Sequence, residues 1–557
     1  MKKINKEYNV IKKLLNNKIL LNSQPSNSVI SAAFIITISG LASRILGLLR
    51  DRFLASAFGA GDTLDIYYAA FRVPDLIYNM LILGALSAAF IPVFTGLISK
   101  NKNEEAWDVA NGVLNLALFF VIIFSLLFCL LAPFLMKIIT PGFSADKMDK
   151  VVLFTRIMFF SPIFLGISGI FGGVLTSFKR FLIYSIAPIM YNAGIIFGVL
   201  VFVPLWGPIG LAWGVVLGAF LHMSVQYPAV KFLGFKHSFS FLRYFSDKDI
   251  RHIFKLMIPR TMGIAIVQAN LFVITIFAST LVSGSLAIFS FAQNLQSLPL
   301  GIFGVSFAIA VFPTLSAFYA KEDHENFIKS FSETFCQIMF FVIPLSVFMI
   351  LLRAQIVRVA LGAGKFDWVD TITTYECLKF FAISLFAQSV VPLLTRTFYA
   401  IHNTRTPFYT AVLSEITNIA SVLLLIGRYK VLGLAMAFSI SSLFEMFFLL
   451  IFLRTKFEDL GDRKIIKSVI QIALASLISG FGVQLYKYLV AGAVNMDTFL
   501  GVFAQLSISS LAGLIIFLAI CESIELEEYL RFKQSLTKRI FKSKNIISES
   551  TDEVSGI

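Results

Sequence analysis

From Val29 to Cys521 the chain is a succession of long apolar runs broken by short clusters of charge, Gly, Pro and Asn. Fourteen runs can be drawn: 29–50, 64–98, 108–138, 150–177, 182–204, 208–231, 249–281, 284–317, 327–352, 374–400, 407–427, 431–453, 465–487 and 497–521. Each reaches the roughly 20 residues that carry a helix across the hydrocarbon core of a bilayer. The runs that exceed 25 residues predict tilt, kinks or turns outside the membrane. The pattern predicts an all-α polytopic membrane protein with about 14 transmembrane helices.

Composition agrees and excludes alternatives. Hydrophobic residues make up 57% of the 557 and charged residues 14%, with 60 phenylalanines, against roughly 25% charge in a soluble domain. Mean hydropathy is +0.83. A disordered chain, a coiled coil and a water-soluble enzyme are all excluded. The net charge of +15 would suggest nucleic acid in a soluble protein, but here the cations sort by position. With the N-terminal tail inside, the even-numbered connections (99–107, 178–181, 231–255, 319–326, 401–406 and 454–464) also fall inside. With both tails they hold about thirty Lys and Arg; the outside connections hold fewer than about ten. This asymmetry predicts both termini in the cytoplasm and accounts for the charge without a nucleic-acid partner. No cleavage site follows the first run, which reads as a retained helix.

Cys129, Cys336, Cys377 and Cys521 are scattered and read as small core hydrophobes, and the five histidines form no metal-binding pattern. There is no P-loop, nucleophile elbow or metal cluster, and Gly59-Ala-Gly61 is a turn between helices because no strand precedes it. No catalytic role is expected, and no cofactor.

The chain repeats itself at an offset of about 220 residues. Gly84–Pro92 corresponds to Gly304–Pro313, Asn192 to Asn418, and Gly210-Leu-Ala-Trp-Gly214 to Gly433-Leu-Ala-Met-Ala437. Six segments therefore repeat as six in the same orientation, an arrangement of parallel lobes found in transporters. The expected divisions are a basic cytoplasmic tail (1–28), an N-terminal lobe (29–231), a C-terminal lobe (232–453), two further helices (465–521) and a charged cytoplasmic tail (522–557).

Ionisable residues inside apolar runs are costly and mark candidate sites. Ser43 and Arg44 stand in the first run, which closes on Arg50, Asp51 and Arg52; Asp65, Arg72 and Asp75 stand in the second. Arg44 and Asp51, like Asp65 and Arg72, are seven residues apart and share a helix face. Guanidinium groups held by carboxylates in a wet cavity suit a large anion, and a pyrophosphate fits their planar fork. Arg52 reads instead as an interfacial anchor that snorkels, a reading also open for Arg50, and Arg260 reads as another anchor. Segment eight carries Gln293, Asn294 and Gln296 where a cavity charge would be expected. Glu415 and Asn418 lie one turn apart, with Glu445 in the next segment. They suit either Na+ or proton coupling or a helix–helix hydrogen bond.

Several of these strings together resemble the MurJ/MviN family of lipid II flippases, within the multidrug/oligosaccharidyl-lipid/polysaccharide exporter group. They are Ser43-Arg-Ile-Leu-Gly-Leu-Leu-Arg-Asp51, Phe58-Gly-Ala-Gly61, Phe71-Arg-Val-Pro-Asp75, Gly84–Pro92, Pro141-Gly-Phe143, Leu298-Pro-Leu-Gly301 and Asn403-Thr-Arg-Thr-Pro407. The resemblance covers about 30–520 and implies fourteen helices, in two lobes of six around a cationic cavity, with a groove for the polyprenyl tail at the last two. It implies movement of undecaprenyl-pyrophosphate disaccharide-pentapeptide between leaflets of the bacterial inner membrane by alternating access. The drive would be membrane potential or an ion gradient. The implied partners are lipid II, membrane lipids and cell-wall synthesis enzymes. Ser43, Arg44, Arg50, Asp51 and Asp65 fall on the family's cavity residues. Arg72 and Asn294 complete the candidate substrate set, and Glu415 and Asn418 the candidate ion set. The sequence departs from the family pattern at Tyr78, Leu83, Gln293, Asn294 and Val422, which concentrates cavity charge in the N-terminal lobe. The alternatives are an antiporter of cationic drugs, a flippase of another polyprenyl-linked glycan, and a scaffold for wall enzymes.

Overall fold

The computed structural model describes residues 29–83, 90–238, 248–534 and 537, without the side chains of 29–34, 81, 83, 248–260, 262 and 263. The two tails (1–28 and most of 522–557), most of the Gly84–Pro92 string, the Leu83 side chain and the Arg260 side chain lie outside these described residues.

Every regular element among the described residues is helical. The rods follow the apolar runs. They are α1 (Val29–Phe58), α2 (in pieces, Asp62–Ala70, Arg72–Tyr78 and Ile91–Ser99), α3 (Asn103–Ile139), α4 (Ala145–Ser177), α5 (Phe181–Phe197), α6 (Gly210–Phe232) and α7 (Lys248–Ser279). There follow α8 (Ser285–Ala320), α9 (His324–Leu351), α10 (Trp368–Ala400), α11 (Arg405–Tyr429), α12 (Val431–Arg454), α13 (Asp462–Ala493) and α14 (Phe499–Ser523). A short helix, Arg353–Leu361, precedes α10.

Ten continuous helices among the described residues are long and apolar enough to cross a membrane, with Phe181–Phe232 counted once. Gly207, at φ 68°, turns the chain inside that run and separates α5 from α6. The pieces of α2 are each shorter than 18 residues, and α7 contributes a shorter apolar stretch, Ile264–Ser279. The outer faces are apolar: Leu130 on α3 is 77% exposed, Leu424 on α11 82% and Phe481 on α13 78%. Such surfaces are stable only against lipid tails.

Lipid removes the hydrophobic drive for one helix to join another, so close backbone approach has to supply contact. The crossing of α5 and α6 does so with two Gly-xxx-Gly pairs, Gly194/Gly198 and Gly214/Gly218. A Cβ on Gly194 would stand 2.4 Å from Gly218 Cα, and one on Gly198 would stand 2.4 Å from Gly214 Cα. At Gly198 the helix loosens into a π turn, Gly198–Phe202, before Val203–Trp206.

The chain divides into two compact units, one holding residues up to Ala287 with Ala363–Asp367, the other Ile288–Gly362 with Trp368–Ile557. In the first, the 363–367 segment is tied by Lys365 N–H donating to the Ser56 carbonyl at 2.9 Å. The division falls within α8, not at the 231/232 boundary expected from the repeat. The reason is that α7 bonds within the first unit: Arg72 to Thr275 at 2.7 Å, and Gly142 N–H to Ser279 Oγ at 3.3 Å.

Gly218→Val is expected to force α5 and α6 apart, since its Cβ would lie 2.5 Å from the Tyr191 carbonyl oxygen. The cost should be about 1–3 kcal/mol, read as a lower melting temperature of the purified protein in detergent. Gly427→Ala, where a Cβ meets nothing within 4 Å, should leave melting unchanged.

Candidate functional site

The last turns of α1 place Arg50 against its own neighbour. Its Nε and Nη2 both donate to Asp51 Oδ1, at 3.0 and 2.8 Å, and Nη1 donates to Asn192 Oδ1 on α5 at 3.1 Å. Asn192 in turn donates through Nδ2 to the Pro188 carbonyl at 3.1 Å and, at longer range, to the Ser43 carbonyl at 3.4 Å and Ser43 Oγ at 3.5 Å. Ser43 and Arg50 are thus joined through one amide, and Arg50 in turn holds Asp51. The Arg50 side chain is 21% exposed and that of Asp51 3%, so the carboxylate is enclosed while an edge of the guanidinium stays accessible.

The first pieces of α2 supply the second cation. Arg72 Nε donates to Thr275 Oγ1 on α7, and the Thr275 hydroxyl donates to the Leu271 carbonyl at 2.7 Å. Asp75 and Tyr68 lie within electrostatic reach of Arg72, and Tyr67, Tyr68 and Tyr191 within reach of Arg50. Two guanidinium groups, two carboxylates and a set of tyrosines therefore furnish the first unit. The sum is close to neutral, with donors that a multiply charged oxyanion can recruit. Arg44 lies exposed on α1. Tyr78, at a family departure, is half-buried near Asp75 and Tyr191.

Asp65 shares a face with Arg72 by spacing, but it is engaged elsewhere. Its two oxygens accept the Gly284 and Ala287 N–H groups at 2.7 and 3.0 Å, with Lys147 Nζ 3.9 Å away. The carboxylate caps the start of α8 from another helix, satisfying donors that the first turn of a helix leaves free. One turn earlier, Asp62 pairs with Lys147 at 2.5 Å and accepts a hydrogen bond from Ser283.

The second unit carries amides and acids. Asn294 is half-buried on α8. Beside it, buried Gln296 donates to Gln388 at 2.5 Å, Gln388 to Ser384 at 2.7 Å, and Ser384 to Ser439 at 3.0 Å, a polar seam through α8, α10 and α12. On α11, Asn418 is fully buried and neither its Nδ2 nor its Oδ1 has a hydrogen-bond partner. Glu415 is half-buried one turn before it, and Glu445 on α12 faces Ser414 and Glu415. Val422 is buried. On α13, Lys487 donates to the Leu351 carbonyl at 3.0 Å, and its own carbonyl accepts from Gln505 of α14 at 2.7 Å.

Asn192 and the tyrosines were missed as site residues. Asn192 stood out only as a marker of the repeat, although an amide in an apolar run is itself a signal.

The family model described as "Lipid II flippase MurJ" matches residues 54–503. The chain belongs to the MurJ family. The resemblance read from the motifs therefore holds across most of the chain. A relative named "Probable lipid II flippase MurJ" from Bdellovibrio bacteriovorus is 27% identical over 471 residues, covering 83% of this chain and 89% of that protein. A Rickettsia prowazekii protein of the same name is 29% identical over 412 residues, covering 72% and 80%. Among solved structures, "Lipid II flippase MurJ, inward closed conformation" superposes with a TM-score of 0.72 at 25% identity, covering 88% of this chain and 99% of that one. An inward-facing MATE family multidrug resistance transporter superposes with a TM-score of 0.63 at 13% identity over 75% and 96%, a likeness of fold alone. Family and apolar helices together make this a multi-pass membrane protein.

Asp62, which precedes the apolar run of α2, gives a pH prediction. Burial raises its carboxyl, but hydrogen bonds from Lys147 and Ser283 and the charges of Lys147 and Lys150 outweigh it and hold it below the usual range. A lowered carboxyl stabilises the fold above its ordinary value near about pH 4, and that stability is lost as pH falls through the lowered value. Melting temperature in detergent should therefore fall on acidification below about pH 4, and Asp62→Asn should lose part of that slope.

Proposed function

We propose that the chain flips lipid II, the polyprenyl-pyrophosphate-linked wall precursor, from the inner to the outer leaflet of the bacterial inner membrane. It acts by alternating access, as a transporter and not an enzyme, with both termini in the cytoplasm. The observation that carries this reading is the pair of guanidinium groups, Arg50 and Arg72, held by hydrogen bonds inside the first unit of a MurJ-family chain. Arg50 gives two of its donors to one oxygen of Asp51. A diphosphate offers more charge and more acceptors, so it competes for the fork, while Asp51 waits to take it back. Exchange of this kind holds the headgroup without trapping it, which a carrier requires. Ser43 and Asn192 orient Arg50, and Thr275 orients Arg72. The apolar faces of α13 and α14 suit the prenyl tail. A cationic drug would meet these arginines as like charges, which disfavours the antiporter reading.

Glu415 and Asn418, with Glu445 nearby, are the proposed coupling site for Na+ or a proton. A buried amide with no partner costs about 1–3 kcal/mol, a cost that an ion or its water shell would remove. Membrane potential would add drive to any net charge moved. Membrane lipids and wall-synthesis enzymes are the remaining proposed partners.

Arg50→Ala and Arg72→Ala should each fail to complement a flippase-depleted strain while still accumulating in the membrane. Outer-leaflet labelling of lipid II should drop about tenfold or more, as expected for losing charge-assisted hydrogen bonds. Arg52→Ala should complement. Full growth of both site variants would refute the anion site. For coupling, Asn418→Leu should fill the amide's place and abolish any dependence of flipping on the Na+ or proton gradient; an unaltered dependence would remove Asn418 from the coupling site.

A further inference from the structure

Outside these groups, the first unit holds a second polar cluster, centred on a histidine halfway along α6. His222 is twelve residues beyond Gly210, about 18 Å along the helix at 1.5 Å per residue. Ser168 of α4 lies 2.6 Å from His222 Nδ1 and 3.0 Å from the His222 carbonyl oxygen. Gln226, one turn on, donates to Ser168 Oγ at 2.6 Å. Ser168 and Gln226 are buried, while His222 is half-buried.

A serine hydroxyl has one proton to give. The arrangement that serves every contact has Ser168 donating to the His222 carbonyl and accepting from both Gln226 and His222 Nδ1–H. That fixes the tautomer and leaves Nε2 as the basic nitrogen. A proton arriving at Nε2 makes an imidazolium that keeps the same Nδ1–H···Oγ bond, so no hydrogen bond has to break on charging.

The ring also adjoins the anion site. Tyr191 meets it edge-on, with centroids 6.4 Å apart and planes at 87°, and Tyr191 is itself within reach of Arg50 and Asp75. The next residue, Asn192, holds Arg50. From the elements packed on α6, α4 presents Ser168 and α5 presents Tyr191; α6 itself adds Gln226.

We propose that His222 is a proton-binding residue, and that its protonation is coupled to occupation of the neighbouring arginine site by a diphosphate. The coupling rests on the anion-binding reading above. It is reciprocal: an imidazolium beside the site favours the anion, and the anion favours the imidazolium to the same degree. The histidine would take up a proton as the diphosphate headgroup loads and release it as the headgroup leaves.

The test uses the full chain in nanodiscs with farnesyl pyrophosphate as probe. Affinity is measured from pH 8 to pH 5.5, and proton uptake on binding is followed in weak buffer. Wild type should bind several-fold tighter at the acid end. His222→Gln, which retains a hydrogen-bonding group and cannot titrate, should bind with a flatter pH profile and take up fewer protons per ligand. The probe's own protonation is common to both proteins and cancels in the comparison. Ser168→Ala, which frees Nδ1, should displace the profile along the pH axis. Equal profiles and equal proton uptake in wild type and His222→Gln would overturn the proposal and leave the cluster as interhelical glue. If instead Arg50→Ala binds the probe as well as wild type does, the anion site fails, and the coupling with it.

Discussion

A polar group inside a bilayer has to find its partner within the protein, because the surrounding hydrocarbon offers none. Nearly every feature of the site follows from that requirement. Arg50 lies against Asp51 and Asn192, Arg72 against Thr275, and Asp65 against two backbone donors at the start of α8. The pairings satisfy charges that would be costly alone in an apolar run. In the proposed transport cycle they also set the terms, since a ligand would displace a protein partner and not fill a vacancy.

The two units meet the requirement differently. In the first, Asn192 is fully used, bonded to α1 and to its own helix. Its counterpart in the repeat, Asn418, is sealed from solvent with both amide atoms unmatched. The same residue at the corresponding place is structural support in one half and an unresolved debt in the other. The arginine cluster of Arg50 and Arg72 belongs to the first unit, while the second carries acids at Glu415 and Glu445 and a seam of amides and hydroxyls from Gln296 to Ser439.

Much of the fold was legible in the chain because lipid imposes a length on each helix, and the apolar runs record that length directly. The presence of Arg50, Asp51 and Arg72 in such runs was equally visible. Their partners were not. A seven-residue spacing puts Asp65 and Arg72 on one face, but only the packing of α7 and α8 shows that each turns to a different neighbour. His222 gave no signal, since its network depends on Ser168, 54 residues away. The allegiance of α7 to the first unit was hidden for the same reason: internal repetition reports ancestry of segments, whereas compactness reports which surfaces touch.

The glycine crossing of α5 and α6 has a mechanical corollary. Where two backbones meet without intervening side chains, there is no soft layer to shear, and sliding one helix along the other would drive main-chain atoms into each other. Asn192 and His222 ride on the two members of that welded pair. Whatever rearrangement carries cargo across the bilayer, the spacing between the residue that steadies Arg50 and the imidazole behind it should travel unaltered, like two fittings on one beam.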